Sequence, residues 1–119
     1  MNKKLFIGLF LAGMTTLSAC VTAANYQPPE NPSQYAGKTR FYGDKYVNCL
    51  ADNGALHLQR GYKGAPSKST IKAACVQEEE DLYKAAYVDS WGSQDVSPNW
   101  RKSTAENLIR QADETFMGR

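Results

Sequence analysis

Residues 67–90 read SKSTIKAACVQEEEDLYKAAYVDS, and this stretch decides the fold. Ile71, Ala74, Cys75, Leu82, Ala85 and Ala86 recur at three- and four-residue intervals, which places them along one face of a helix. Ser67 or Ser69 offers an N-cap, and Trp91-Gly92 supplies a stop. The spacing predicts one helix about 30 Å long. Upstream, Asp44 is a usable N-cap for a first helix, in which Tyr46, Val47, Leu50 and Ala51 recur at helical spacing. Asp52-Asn53-Gly54 then interrupts with a strong turn signal, yet Ala55-Leu56-His57-Leu58 resumes the apolar pattern. Either one helix continues through Gly54 at a cost of about 1 kcal/mol, or two short helices meet there. The expectation is one helix to about Arg60, with Gly61, Gly64 and Pro66 marking the loop after it. Downstream, Ser97-Pro98 offers an N-cap with proline at the first helical position. Ser103-x-x-Glu106 matches a capping box that would start the third helix later. Ala105, Leu108, Ile109, Ala112 and Phe116 make its apolar face. With no alternating strand pattern and no internal repeat, the expected fold class is all-α. Residues 44–119 form the domain, a helical hairpin covered by a C-terminal third helix.

The front of the chain has a different character. Lys3-Lys4 precedes an apolar run over residues 5–17, which is too short for a membrane span of roughly 20 residues. The run ends on Leu17-Ser18-Ala19-Cys20. Those four residues resemble the lipobox of bacterial lipoproteins. The resemblance implies that residues 1–19 are a signal peptide and that Cys20 becomes the lipid-bearing first residue of the mature chain. Two or three acyl chains, at about 0.8 kcal/mol per buried methylene, give stable anchoring. Val21 after the cysteine, where enteric lipoproteins held at the inner membrane carry Asp, implies an outer-membrane address. The simpler secretory reading is cleavage after Thr22-Ala23-Ala24. Residues 20–43, with Pro28, Pro29 and Pro32 among polar residues, read as a disordered tether spanning roughly 25–30 Å on average. Phe41 and Tyr42 are expected to dock onto the domain.

Removing residues 1–19 from 119 leaves 100, enough for one small domain. Of 14 basic and 12 acidic residues, Lys3 and Lys4 leave with the signal peptide, so the remaining side-chain charge balances. A balanced chain with no basic run longer than Arg101-Lys102 gives no reason to expect nucleic-acid binding. With Cys20 assigned to lipid, Cys49 and Cys75 remain, and two cysteines allow one intramolecular pairing. Export places them in an oxidising compartment, where a bridge persists. If both helices are continuous, the two thiols lie at similar heights above the connecting loop, and the bridge staples the hairpin. Tyr46-x-x-Cys49 followed by Ala73-Ala74-Cys75 resembles, in general form, small exported disulfide-linked helical-hairpin proteins of bacteria.

Candidate chemistry is sparse. A redox role for the cysteines lacks a Cys-x-x-Cys pair. Zinc binding by Cys49, Cys75 and His57 lacks a fourth ligand and the usual spacings, so no metal site and no cofactor are expected. His57, the single histidine, has no nucleophile or orienting partner legible in sequence. Glu78-Glu79-Glu80-Asp81 points four ways around a helix and reads as a solvated face, with Glu80–Lys84 at ion-pair spacing. Tyr83 and Tyr87, one turn apart, read as an outer tyrosine face with Tyr46 or Tyr62. Trp91 and Trp100 flank the loop between the second and third helices. Packing at the end of the core is their plainer reading, and stacking on peptidoglycan sugars or a protein partner the functional one. Tyr83, Tyr87, Trp91 and Trp100 are therefore the candidate contact residues. The expectation is not an enzyme but a lipid-anchored envelope protein whose domain faces the periplasm and contacts another envelope protein or peptidoglycan. The alternative is an inhibitor, immunity or exclusion lipoprotein acting against a lytic enzyme, phage or conjugation system.

Overall fold

The computed structural model describes residues 28–90 and 97–118. Cys20 with the rest of the lipobox, and Trp91, lie outside the described residues. Among the described residues there are five α-helices and no strand. They are α1 (Thr39–Asp52), α2 (Ala55–Gln59), α3 (Lys68–Ala74), α4 (Val76–Asp89) and α5 (Pro98–Met117), preceded by a 3-10 turn over Pro32–Gln34. α4 packs along both α1 and α5, and α3 closes on α1 and α2. Cys49 and Cys75 are disulfide-bonded with Cα atoms 5.9 Å apart, so the hairpin is stapled as expected.

The first two expected helices are each broken, while the third is continuous. The first stops at Asp52, because Gly54 adopts φ +105°. A Cβ there would also meet Pro66 Cδ and Cγ at 2.8 Å, so glycine serves both the turn and the close approach of the following loop. The second is interrupted at Cys75 (φ −113°, ψ 23°), whose N–H reaches back to the Lys72 carbonyl. The two breaks lie at the level of the disulfide. Beyond the breaks α2 packs on α3 and α5, while α1 and α4 run side by side. Ser67 caps α3 by accepting the Thr70 N–H at 3.2 Å. Ser97 caps α5 through the Trp100 N–H, so α5 starts at Pro98 and Ser103 lies inside it.

Tyr46, Leu50, Ile71, Cys75, Leu82, Tyr83, Ala105 and Ile109 form the centre of the core, with Leu108, Ala112 and Phe116 packed on its edge. The domain begins earlier than residue 44. Tyr35 is buried against Ala85 and Val88 with Tyr42 beside it, and α1 starts five residues ahead of Asp44. The segment ahead of the domain is therefore shorter than residues 20–43. Of the two aromatics expected to dock, Tyr42 does. Phe41 stays exposed, with Lys45 Nζ 5.3 Å from its ring centre.

A polar cluster crosses the core boundary. Lys72 Nζ on α3 lies 2.7 Å from Glu79 Oε1 on α4 and 2.7 Å from Asp113 Oδ2 on α5. It also donates to the Tyr46 hydroxyl of α1 at 3.0 Å, and that hydroxyl donates to Asp113. One ammonium thus ties four helices together. Glu79, expected on a solvated face, is only 5 % exposed. Burial of its carboxylate is tolerable because Lys72 supplies the countercharge.

Candidate functional site

α5 presents Trp100, Thr104, Asn107, Leu108 and Gln111 at intervals of three and four, and so along one side. This side faces Ala86, Asp89 and Ser90 at the end of α4 and Thr39 at the start of α1, and the space between is an open cleft of about 540 Å³. The Ser97 cap and Pro98 fix the first turn, so the Trp100 backbone is held while its side chain remains 53 % exposed. Ala86 and Leu108 give the cleft its apolar floor, and hydroxyls, amides and a carboxylate form the rim.

Several rim groups already hold the fold. Thr104 Oγ1 donates to the Trp100 carbonyl at 2.9 Å, and Ser90 Oγ donates to the Tyr87 carbonyl at 2.8 Å. Asp89 accepts the Gly37 N–H at 2.7 Å, the Thr39 N–H at 3.2 Å and the Thr39 hydroxyl. Its carboxylate therefore caps α1 from a neighbouring helix. Asn107 Oδ1 accepts from Arg110 Nη2 at 3.0 Å. What the cleft offers a ligand is the exposed Trp100 beside apolar Ala86 and Leu108, with amides nearby. That combination suits a flat hydroxylated ring, or an apolar side chain with a polar end.

Of the predicted contact residues, the structure supports Trp100 as accessible and removes two others. Tyr83 and Tyr87 are buried, 1 % and 8 % exposed, because α5 lies over them. Their rings stack at 6.1 Å between centroids. Burial, together with the nearby Glu106 carboxylate and Tyr87, pushes the Tyr83 hydroxyl up to about 12. Tyr46 is likewise buried, whereas Tyr62 is exposed. His57 is exposed on α2, its ring 5.1 Å from that of Tyr62.

A second, smaller hollow of about 280 Å³ lies beside Cys49, lined by Lys45, Asn48, Asp52, Asn53 and Glu78. Among the described residues no three His, Cys, Asp or Glu side chains converge as metal ligands, and no helix is long and apolar enough to cross a membrane. Sequence reasoning missed the Lys72–Glu79–Asp113–Tyr46 cluster and the role of Asp89. The one available signal was the seven-residue spacing of Lys72 and Glu79, two helical turns apart. In comparisons with protein-family models, curated proteins and solved structures, the chain matches none.

Proposed function

We propose that this is a lipid-anchored protein of the bacterial envelope, most consistent with the outer membrane, with a non-enzymatic binding domain facing the periplasm. Its contact with peptidoglycan or an envelope protein is made through the Trp100 cleft. The observation that carries the reading is the half-exposed Trp100 lining an open cleft with Ala86 and Leu108. An exposed tryptophan next to Ala86 and Leu108 leaves apolar surface in water that a ligand ring would cover. Anchoring rests on Leu17-Ser18-Ala19-Cys20, and the Cys49–Cys75 bridge accords with an oxidising compartment.

Two measurements test the reading. Mass spectrometry of the mature protein should find acyl chains on Cys20, and a chain starting at Asn25 refutes the anchor. Cosedimentation with purified peptidoglycan, or capture of one envelope partner, should weaken at least about tenfold on Trp100→Ala, as expected for a stacking contact of 1–3 kcal/mol. Full retention by that variant removes the cleft from the proposal.

A further inference from the structure

From Gly54 to Gln77 the sequence contains no acidic residue, while it contains Arg60, Lys63, Lys68 and Lys72. The fold divides these cations. Lys72 is consumed by Glu79 and Asp113, and Lys68 Nζ donates to the Gly118 carbonyl at 2.9 Å. Arg60 and Lys63 remain exposed on the tip formed by α2 and the loop after it. The tip is compact. The Tyr62 N–H donates to the His57 carbonyl at 3.0 Å, and the Ala65 N–H to the Tyr62 carbonyl at 3.2 Å. α2 turns Ala55 and Leu58 inward, which leaves Leu56 outward at 40 % exposure, with Tyr62 at 52 %. Acidic groups border the tip rather than enter it. Asp52 ends α1, and Glu114 on α5 has Arg110 Nη1 at 3.7 Å.

We propose that this tip docks on a membrane surface bearing anionic headgroups. An exposed leucine and tyrosine on the same tip as two exposed cations is the side-chain mixture that suits a bilayer interface. The ring and aliphatic group enter the headgroup layer, and the cations meet phosphate. Chain length favours this occupant over an acidic protein, a step that rests on the Cys20 anchor. Residues 21–31 can extend at most about 40 Å. α1, with 14 residues, separates its two ends by about 21 Å. A domain tied to a bilayer can therefore lay its far tip on the same bilayer. Phe41, another exposed aromatic near cations, has Asp44 close in sequence and Lys45 over its ring, and serves as a control.

The test uses the chain from residue 20 onward carrying Cys20→Ser, which keeps every described residue and cannot be acylated. Binding is measured to vesicles of phosphatidylcholine alone and to vesicles containing one-third phosphatidylglycerol. Selective binding to the anionic vesicles is expected, reduced at least about tenfold by Arg60→Glu with Lys63→Glu and falling with added salt. Arg60→Gln and Lys63→Gln singly should each give part of that loss, which guards against misfolding of the double variant. Leu56→Ser with Tyr62→Ser should weaken binding further, and Phe41→Ser should not. Equal binding to both vesicles, or no loss on charge reversal, overturns the proposal. So does tip-dependent capture of an acidic protein without vesicle binding. Because the protein tested bears no lipid, failure here is separate from failure to find acyl chains on Cys20.

Discussion

At the end of the bundle where α1 begins, a carboxylate does the closing. Asp89 accepts the N–H groups of Gly37 and Thr39. At the opposite end, where α5 finishes, donors do it. Lys68 Nζ reaches the Gly118 carbonyl, and Gln59 Nε2 reaches the Thr115 carbonyl at 3.0 Å. The difference follows from the helix dipole, which is positive at an N-terminus and negative at a C-terminus. Asp89 sits in the last turn of its own helix, where a carboxylate is disfavoured. Its three bonds to the α1 segment outweigh that, so the residue belongs electrostatically to its neighbour. The two ends are also left with different surfaces. The Asp89 end carries the tryptophan cleft, and the Lys68 end carries the exposed basic tip.

The largest loss of stability is expected at the staple between the ends. Replacing Cys49 and Cys75 together by Ser should cost about 3.5 kcal/mol by the chain-entropy relation for their 26-residue separation, read as a lowered urea midpoint. Next is Lys72→Met, which removes the countercharge shared by Glu79 and Asp113. A loss of about 3 kcal/mol is expected, at the low end for a buried pair because the Lys72 side chain is 28 % exposed. The ends themselves should then respond unequally. Asp89→Ala should cost about 1–2 kcal/mol and speed amide exchange at Gly37 and Thr39, whereas Lys68→Met should cost about 0.5 kcal/mol. Equal losses would mean that the dipole argument does not distinguish the two caps.

A pH-dependent effect concerns Tyr83. Its hydroxyl is held protonated up to about 12, above the ordinary 10.0, chiefly by burial. The folded state therefore binds this proton more tightly than the unfolded chain does. The stability it contributes is complete below pH 10 and is lost as pH rises from there through 12. Tyr83→Phe should remove that alkaline loss, so the alkaline unfolding midpoint moves upward. An unmoved alkaline midpoint would show that another group drives alkaline unfolding.

Much of the architecture was legible because amphipathic spacing and capping are local. The apolar stripe of residues 67–90, the Ser97-Pro98 start and the pairing of Cys49 with Cys75 needed no knowledge of neighbours. Gly54 carried its turn signal openly, but the competing apolar pattern of residues 55–58 argued for continuity, and the glycine's left-handed conformation close to Pro66 ends the helix there. Tyr83 and Tyr87 were misplaced for a related reason. A helix with a second apolar face can be exposed there or covered, and α5 covers it. Of the candidate site, Trp100 was visible as a residue type, while its cleft depends on three separate helices.

The sequence by itself determined the helical composition, the disulfide partners and the acid-free stretch of residues 54–77, because each follows from residue order and local geometry. Tertiary structure alone decided that Glu79 is buried, that Tyr35 belongs to the domain and that Asp89 caps a helix other than its own. It also decided that Lys72 and Lys68 are spent internally while Arg60 and Lys63 stay exposed. Charges and rings acquire their roles from what packs against them, and some of those partners lie far along the chain: Asp113 is 41 residues from Lys72, and Gly118 is 50 from Lys68.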